Sequence, residues 1–297
     1  MAASDTIVPD TEHRGLVGRL PRRMRDFALL ARFDRPIGIW LLFWPCVWGV
    51  WLAGAGWRLG LLAWLLLGSL AMRSAGCVYN DIVDADLDRQ VARTAARPVA
   101  SARVSVKAAW VWLVVLVQLR WQAELVALAS LALVAAYPFM KRITWWPQAW
   151  LGLVFTWGAP VGWAALRSDR LEVLAALYAG AIFWCVGYDT IYAVQDKEDD
   201  ALVGVRSSAL RLGDSVRAGV IVFYGLALAL WALAFWLLRH DWLALAALGP
   251  AAAQLTWQAC TLDPADAAGA LARFRSNRFA GALVAAACFV VGNAGLT

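Results

Sequence analysis

The feature that most limits what this chain can become is its series of long apolar blocks. They fall near residues 36–56, 59–79, 104–119, 123–140, 149–166, 172–194, 217–238, 242–260 and 280–296. A helix needs roughly 20 apolar residues to cross the hydrocarbon core of a bilayer, and fewer where the bilayer thins or neighbours help. The chain is 62% hydrophobic and only 16% charged. Soluble domains run near about 50% apolar and about 25% charged. The expected fold is all-α, a polytopic membrane protein with nine transmembrane helices. The third and fourth blocks are short and parted only by "LRWQAE", so they read as a tight helical hairpin.

Basic residues set the expected orientation. Of the 27 Lys and Arg residues, 21 lie in the N-terminal segment or in the loops near 80–107, 139–148, 195–217 and 261–279. Lys and Arg concentrate on the cytoplasmic side, so the N-terminus and those loops are expected in the cytoplasm. Nine spans then put the C-terminus outside. Arg58, Arg120, Arg167, Arg170 and Arg239 fall on the other side, and Arg73 lies within a span. Residues 1–30 form a basic segment, either an amphipathic helix on an anionic leaflet or a tail that only sets topology. No secretory signal pattern is expected there. No linker or low-complexity tract interrupts residues 1–297, which read as one domain.

The five cysteines, Cys46, Cys77, Cys185, Cys260 and Cys288, lie in apolar stretches without CxxC spacing. They read as small buried hydrophobes. His13 and His240 are isolated, so a zinc or haem site has little support. The 19 tryptophans suit membrane interfaces and packing.

Two acidic clusters stand out against this background. "NDIVDADLD", residues 80–88, holds Asn80, Asp81, Asp84, Asp86 and Asp88; "YDTIYAVQDKEDD", residues 188–200, holds Asp189, Asp196, Glu198, Asp199 and Asp200. Together they contain nine of the chain's 21 acidic residues. On a helix, Asn80, Asp84 and Asp88 share one face, as do Asp189, Asp196 and Asp200 with Tyr188 and Tyr192 alongside. The Asp84/Asp88 spacing is echoed by Asp196/Asp200, a weak sign of duplication. Asp86, Glu198 and Asp199 read equally well as solvated loop charges.

Like charges at i, i+4 weaken a helix, and ionised groups near hydrocarbon cost more. A divalent cation supplies the compensating charge. The candidate ligands are all oxygen donors, which suits Mg²⁺, Mn²⁺ or Ca²⁺. Mg²⁺ takes one or two carboxylates and completes its shell with water and phosphate oxygens. Two facing carboxylate patches would therefore suit two Mg²⁺ ions gripping a diphosphate. Cationic donors for that diphosphate are available on the same side: Arg93, Arg97, Lys141, Arg142 and Arg206.

With these motifs the chain resembles the UbiA superfamily of intramembrane prenyltransferases. "NDIVDADLD" fits its NDxxDxxxD pattern and "DTIYAVQDKEDD" its second aspartate-rich motif. The likeness extends through "RFDRPIGIWLLFWP", "RSAGCVYNDIVDADLDRQVARTAARP", "YPFMKRITWWPQAWLG" and "YDTIYAVQDKEDDALVGVRSSA", about residues 32–215. These stretches are similar to the 4-hydroxybenzoate polyprenyltransferase branch.

The resemblance implies a helical bundle around a central cavity open to lipid. Asn80, Asp84 and Asp88 would hold one Mg²⁺, and Asp196 and Asp200 a second. Arg97, Lys141 and Arg206 would bind the polyprenyl diphosphate. Asp189, with Asn80 the catalytic residue implied, would sit near the phenol hydroxyl of 4-hydroxybenzoate, with Tyr192 beside it. Arg32, Arg35 or Arg142 would meet the acceptor's carboxylate, a choice the sequence leaves open. Ala193 stands where some relatives carry another acid. The implied setting is the cell inner membrane and the quinone pathway, with membrane lipid as partner and no nucleic acid; the five acids among the first 34 residues favour a bacterial over a mitochondrial membrane.

Two other readings compete with this one. A superfamily relative could use a haem, naphthoate or chlorophyllide acceptor. A cation or organic-substrate transporter would line a pathway with acids near mid-membrane. Here the acids cluster at one face, which counts against transport.

Overall fold

The computed structural model describes residues 16–89, 97–102, 104–107 and 124–293. Every regular element among them is helical. A 3₁₀ turn, Leu16–Arg19, leads into α1 (Arg22–Leu30), α2 (Ile37–Leu52), α3 (Leu59–Val83) and a single turn, α4 (Ala85–Asp88). Then come α5 (Glu124–Ile143), α6 (Pro147–Phe155), α7 (Gly158–Ala164) and α8 (Leu171–Ala193). A 3₁₀ turn, Val194–Asp196, joins α8 to α9 (Lys197–Val203). The chain finishes with α10 (Ser208–Leu212), α11 (Val216–Arg239), α12 (Trp242–Ala246), α13 (Gly249–Thr261) and α14 (Ala267–Asn293).

Among the described residues four stretches are long and apolar enough to cross a bilayer: Leu59–Val83, Leu171–Asp196, Ser208–Arg239 and Ala267–Asn293. Ile37–Leu52 and Ser130–Met140 are shorter apolar helices. Most of the block expected near 104–119 lies outside the described residues. The blocks expected as single helices at 149–166 and 242–260 are instead each broken in two. Pro160 has no N–H to give to Thr156 and its ring crowds that carbonyl. Thr156 closes α6, and its own hydroxyl donates back to Gly152 O at 2.8 Å. Pro250 stands in the same relation to Ala246, the last residue of α12. Pro45 and Pro138 are carried inside α2 and α5 without a break, so proline alone does not decide the outcome.

α8 runs against α11 along most of its length, and α2 is held between α7 and α14. Trp48, Trp163, Trp184 and Trp231 are fully buried where these helices meet. The Trp48 ring lies 5.0 Å from Trp184 and 5.3 Å from Trp231. Their indole donors are satisfied across helices: Trp48 Nε1 gives to Gly281 O at 2.9 Å and Trp184 Nε1 to Asn277 Oδ1 at 2.8 Å. Lipid tails are as apolar as leucine, so such packing and hydrogen bonding, rather than burial alone, hold a membrane bundle together. Close backbone approach does the same for α2 and α7. A Cβ on Gly162 would stand 2.3 Å from Cys46 O. Other large apolar side chains, such as Val222, Leu243 and Val290, point outward.

A smaller core positions the acidic end of α3. Leu30, Ala75, Val78, Ala85, Val99 and Val104 pack together and tie α1, α3, α4 and the segment after residue 97 into one unit. Arg32 and Arg97 are thereby brought over the first acidic cluster.

Candidate active site

α3 ends inside the first motif. Asp84 caps it, with its N–H bonded to Asn80 O at 2.9 Å, and the Asp88 N–H bonds Asp84 O at 2.8 Å. This main-chain ladder carries the helical i, i+4 relation across the junction into α4 and stacks Asn80, Asp84 and Asp88. Asp84 is fully buried and Asp88 nearly so, whereas Asp86 is exposed and pairs with Arg89.

Each buried carboxylate of this motif faces an arginine. Arg142 Nη2 is 3.2 Å from Asp84 Oδ1, and Arg97 Nη1 is 2.8 Å from Asp88 Oδ2. Arg32 Nη2 is 2.7 Å from Asp81 Oδ1, and Arg97 Nη1 reaches the same oxygen at 3.4 Å. Arg35 Nε donates to Asp34 Oδ2 at 3.3 Å. Burial works against the Arg97 charge, but Asp81 and Asp88 outweigh it and raise the guanidinium above its ordinary pKa. Asp81 escaped the sequence reading because it lies off the Asn80–Asp84–Asp88 face. Its signal was the "RFD" segment, whose Arg32 needed an acid to meet.

The second motif is not the single helix its spacing suggested. α8 carries Tyr188, Asp189 and Tyr192, the chain then tightens to the Val194–Asp196 turn, and Asp196 leads into α9 with Asp200. Asp84 and Asp196 thus both stand at helix junctions. Asp189 still lies within the electrostatic reach of Asp196 and Asp200. Tyr192 packs its ring 4.7 Å from Phe274 of α14.

Two side chains feel residues of both motifs. Asp84 of the first and Asp189 of the second both act electrostatically on Tyr137 of α5. Arg97, held by Asp81 and Asp88, also feels Tyr192. The two acidic clusters, far apart in the chain, are therefore within electrostatic reach of the same side chains. Arg206 is placed differently: its Nη1 donates to Ile143 O at 2.6 Å and its guanidinium lies over the Trp145 ring, so its described contacts brace the α5–α6 loop. Lys141 sits in α5, but its side chain lies outside the described residues, as do those of Glu198 and Asp199 and all of Arg93. Arg73 of α3 is a further cation near the site, acting on both Asp189 and Tyr137. The visible signal for it was a lone arginine inside an apolar span.

The donor set fits a hard divalent cation. Asp84, Asp88, Asp196 and Asp200 offer carboxylate oxygen, and Asn80 an amide oxygen, with no sulfur or imidazole among them. Among the described residues no three His, Cys, Asp or Glu side chains group as a closed metal site.

The long apolar helices define an α-helical integral membrane protein. Residues 42–283 match the UbiA prenyltransferase family, and the chain belongs to that family. It is 40% identical over 277 residues to the mitochondrial 4-hydroxybenzoate polyprenyltransferase of Arabidopsis thaliana, covering 89% of this chain and 68% of that protein. The 4-hydroxybenzoate octaprenyltransferase of Pseudomonas aeruginosa (strain UCBPP-PA14) is 39% identical, with 89% and 93% of the two chains covered. In fold the chain is similar to the apo structure of a UbiA homolog from Aeropyrum pernix K1, at TM-score 0.67 and 25% identity over 85% of this chain and 97% of that one. It is also similar to a UbiA homolog from Archaeoglobus fulgidus bound to GPP and Mg²⁺, at TM-score 0.65 and 17% identity over 90% and 99%. The chain is a prenyltransferase.

Proposed function

We propose that this enzyme transfers a polyprenyl group from polyprenyl diphosphate to the ring carbon ortho to the hydroxyl of 4-hydroxybenzoate, in ubiquinone biosynthesis. The observation that carries the reading is that Tyr137 and Arg97 each lie within electrostatic reach of residues from both motifs. The named acceptors of the two relatives at about 40% identity support the choice of 4-hydroxybenzoate.

On this reading Asn80, Asp84 and Asp88 hold one Mg²⁺ and Asp196 and Asp200 a second. Ions held there would supply positive charge to the diphosphate as it departs. Arg97, Lys141 and Arg206 neutralise the remaining phosphate oxygens. Arg97 and Arg142 already stand against Asp88 and Asp84, so the carboxylates stay balanced before substrate arrives. The allylic C–O bond ionises once the diphosphate is held. Apolar and aromatic walls, Phe155 and Tyr137 among them, keep water from the cation. Asp189 accepts a hydrogen bond or proton from the phenol hydroxyl, with Tyr192 beside it, and pushes electron density to the ortho carbon. That carbon attacks the allylic cation, and the ring proton then passes to the freed diphosphate or to water.

The chain forms one domain of nine transmembrane helices around a cavity, with the segment before α1, the active-site loops and the basic residues on the cytoplasmic side of the inner membrane. Placing the diphosphate end of the substrate at that interface and its isoprenoid tail in lipid suits both chemistries.

The test is purified protein with Mg²⁺, a polyprenyl diphosphate and a panel of phenolic and non-phenolic acceptors. Prenylated 4-hydroxybenzoate is the expected product. Transfer only to haem, naphthoate or chlorophyllide acceptors, or cation flux in liposomes without prenyl transfer, would overturn the proposal.

A further inference from the structure

Arg73 has no role in the chemistry described so far, yet it sits in the middle of α3, a 25-residue span. A guanidinium at that depth is costly unless it faces an anion or a wet site. Among the described residues Arg73 forms no ion pair. Its Nη1 donates to Cys77 Sγ one turn on, its Cζ lies 5.6 Å from the Phe155 ring centroid, and its Nε is buried without a hydrogen-bond partner. Gly38 of α2 makes room for it: a Cβ there would stand 2.1 Å from Arg73 Nε.

Its position relative to the motifs gives it a use. Arg73, Cys77, Asn80 and Asp84 follow at steps of four, three and four residues, so they line one face of α3. Arg73 lies about 10 Å below Asn80 along the axis, at about 1.5 Å per residue. Asp189 and Tyr137 both lie within its electrostatic reach. Of the arginines that sequence alone put forward for the acceptor carboxylate, Arg32 is paired with Asp81 and Arg35 with Asp34, and Arg142, half exposed, stands at Asp84, the metal-binding end of the face.

We infer that Arg73 receives the carboxylate of the aromatic acceptor and sets the enzyme's preference for an anionic ring. This rests on the reaction proposed above. A para-hydroxybenzoate carries its hydroxyl and its carboxylate at opposite ends of the ring, so both ends must be answered at once. Asp189 answers the hydroxyl and Arg73 the carboxylate, with Gly38 fixing the guanidinium and Phe155 flanking it. The acceptor's negative charge then removes the cost of keeping Arg73 ionised within the bundle.

The experiment compares 4-hydroxybenzoate with its neutral isostere 4-hydroxybenzamide, using purified enzyme, Mg²⁺ and geranyl diphosphate. Wild-type enzyme should favour the benzoate. In Arg73→Gln the KM for the benzoate should rise about 10- to 100-fold, as loss of a charge-assisted hydrogen bond predicts. The KM for the benzamide and for geranyl diphosphate should move less than about threefold. Arg73→Lys should keep part of the preference, and Gly38→Ala, which displaces the guanidinium without removing it, should shift the benzoate KM the same way. Equilibrium binding of labelled 4-hydroxybenzoate reads the same contrast in a variant too slow to assay. Equal losses on both acceptors, or a raised KM for geranyl diphosphate, would overturn the assignment. Wild-type protein that prenylates neither ring would instead remove the reaction on which it rests.

Discussion

Arg32 and Asp81 form a buried ion pair, Nη2 to Oδ1 at 2.7 Å, across 49 residues of chain. Arg32 reaches it from a left-handed backbone, φ 59°, just after α1. That conformation costs a residue with a Cβ roughly 1–2 kcal/mol, so the pair is held by the surrounding fold and not by local preference. We expect Asp81→Ala to lower stability by about 3–5 kcal/mol, because it leaves a buried guanidinium without its partner. Asp86→Ala, at an exposed acid of the same motif, should stay within about 0.5 kcal/mol. Thermal unfolding in detergent micelles compares the two directly.

Asp84 and Asp196 stand at the two helix junctions of the site. Asp84→Ala or Asp196→Ala should reduce turnover by at least about a hundredfold, the scale of losing charge stabilisation at a leaving group. Both variants should remain folded by circular dichroism. Full activity in either one would sink the assignment of two metal-binding acid pairs.

Asp189 is assigned to the acceptor's hydroxyl and not to the diphosphate. Asp189→Asn should therefore lower kcat by about 10²–10⁴-fold. Mg²⁺-dependent binding of polyprenyl diphosphate, followed by calorimetry, should hardly change. Lost diphosphate binding would move Asp189 into the metal set.

Arg97 touches Asp81 and Asp88, whereas Arg206 braces Ile143 and Trp145. Arg97→Ala should raise the KM for the diphosphate and also lower thermal stability, since it frees two buried carboxylates. Arg206→Ala should raise the same KM with a smaller stability loss, its described contacts being the Ile143 carbonyl and the face of the Trp145 ring. Steady-state kinetics paired with melting curves separate the two.

Gly162 lets α7 approach α2. Gly162→Val would press a side chain against Cys46 O and should destabilise the protein by about 1–3 kcal/mol, the usual cost of overpacking. A melting curve superimposable on wild type would show that the two helices can part at no cost.

Much of this molecule was legible before any coordinates. Block length and hydropathy determined that the chain is helical and belongs in a membrane, because lipid leaves few other ways to satisfy a backbone. The i, i+4 spacing picked out Asn80, Asp84 and Asp88, since that relation is local and helix geometry transmits it, even across the junction at Asp84. The same rule overreached in the second motif, where the chain tightens into a 3₁₀ turn at Val194–Asp196 that no residue spacing announces. The breaks before Pro160 and Pro250 were likewise hidden, because Pro45 and Pro138 sit in unbroken helices.

What only the tertiary structure decided is which charge meets which. Asp81 with Arg32 and Arg142 with Asp84 are contacts between distant segments, and Arg97 folds back onto Asp88. Sequence by itself determined the material: apolar spans, two acid clusters and basic residues gathered in particular loops. Pairing depends on how helices pack, and helix packing turns on small residues and satisfied polar atoms summed over the whole bundle. A residue's own neighbourhood in the chain does not contain that sum, which is why Arg73 could be read as a lone charge in an oily span until Gly38, Phe155 and Asp189 were seen around it.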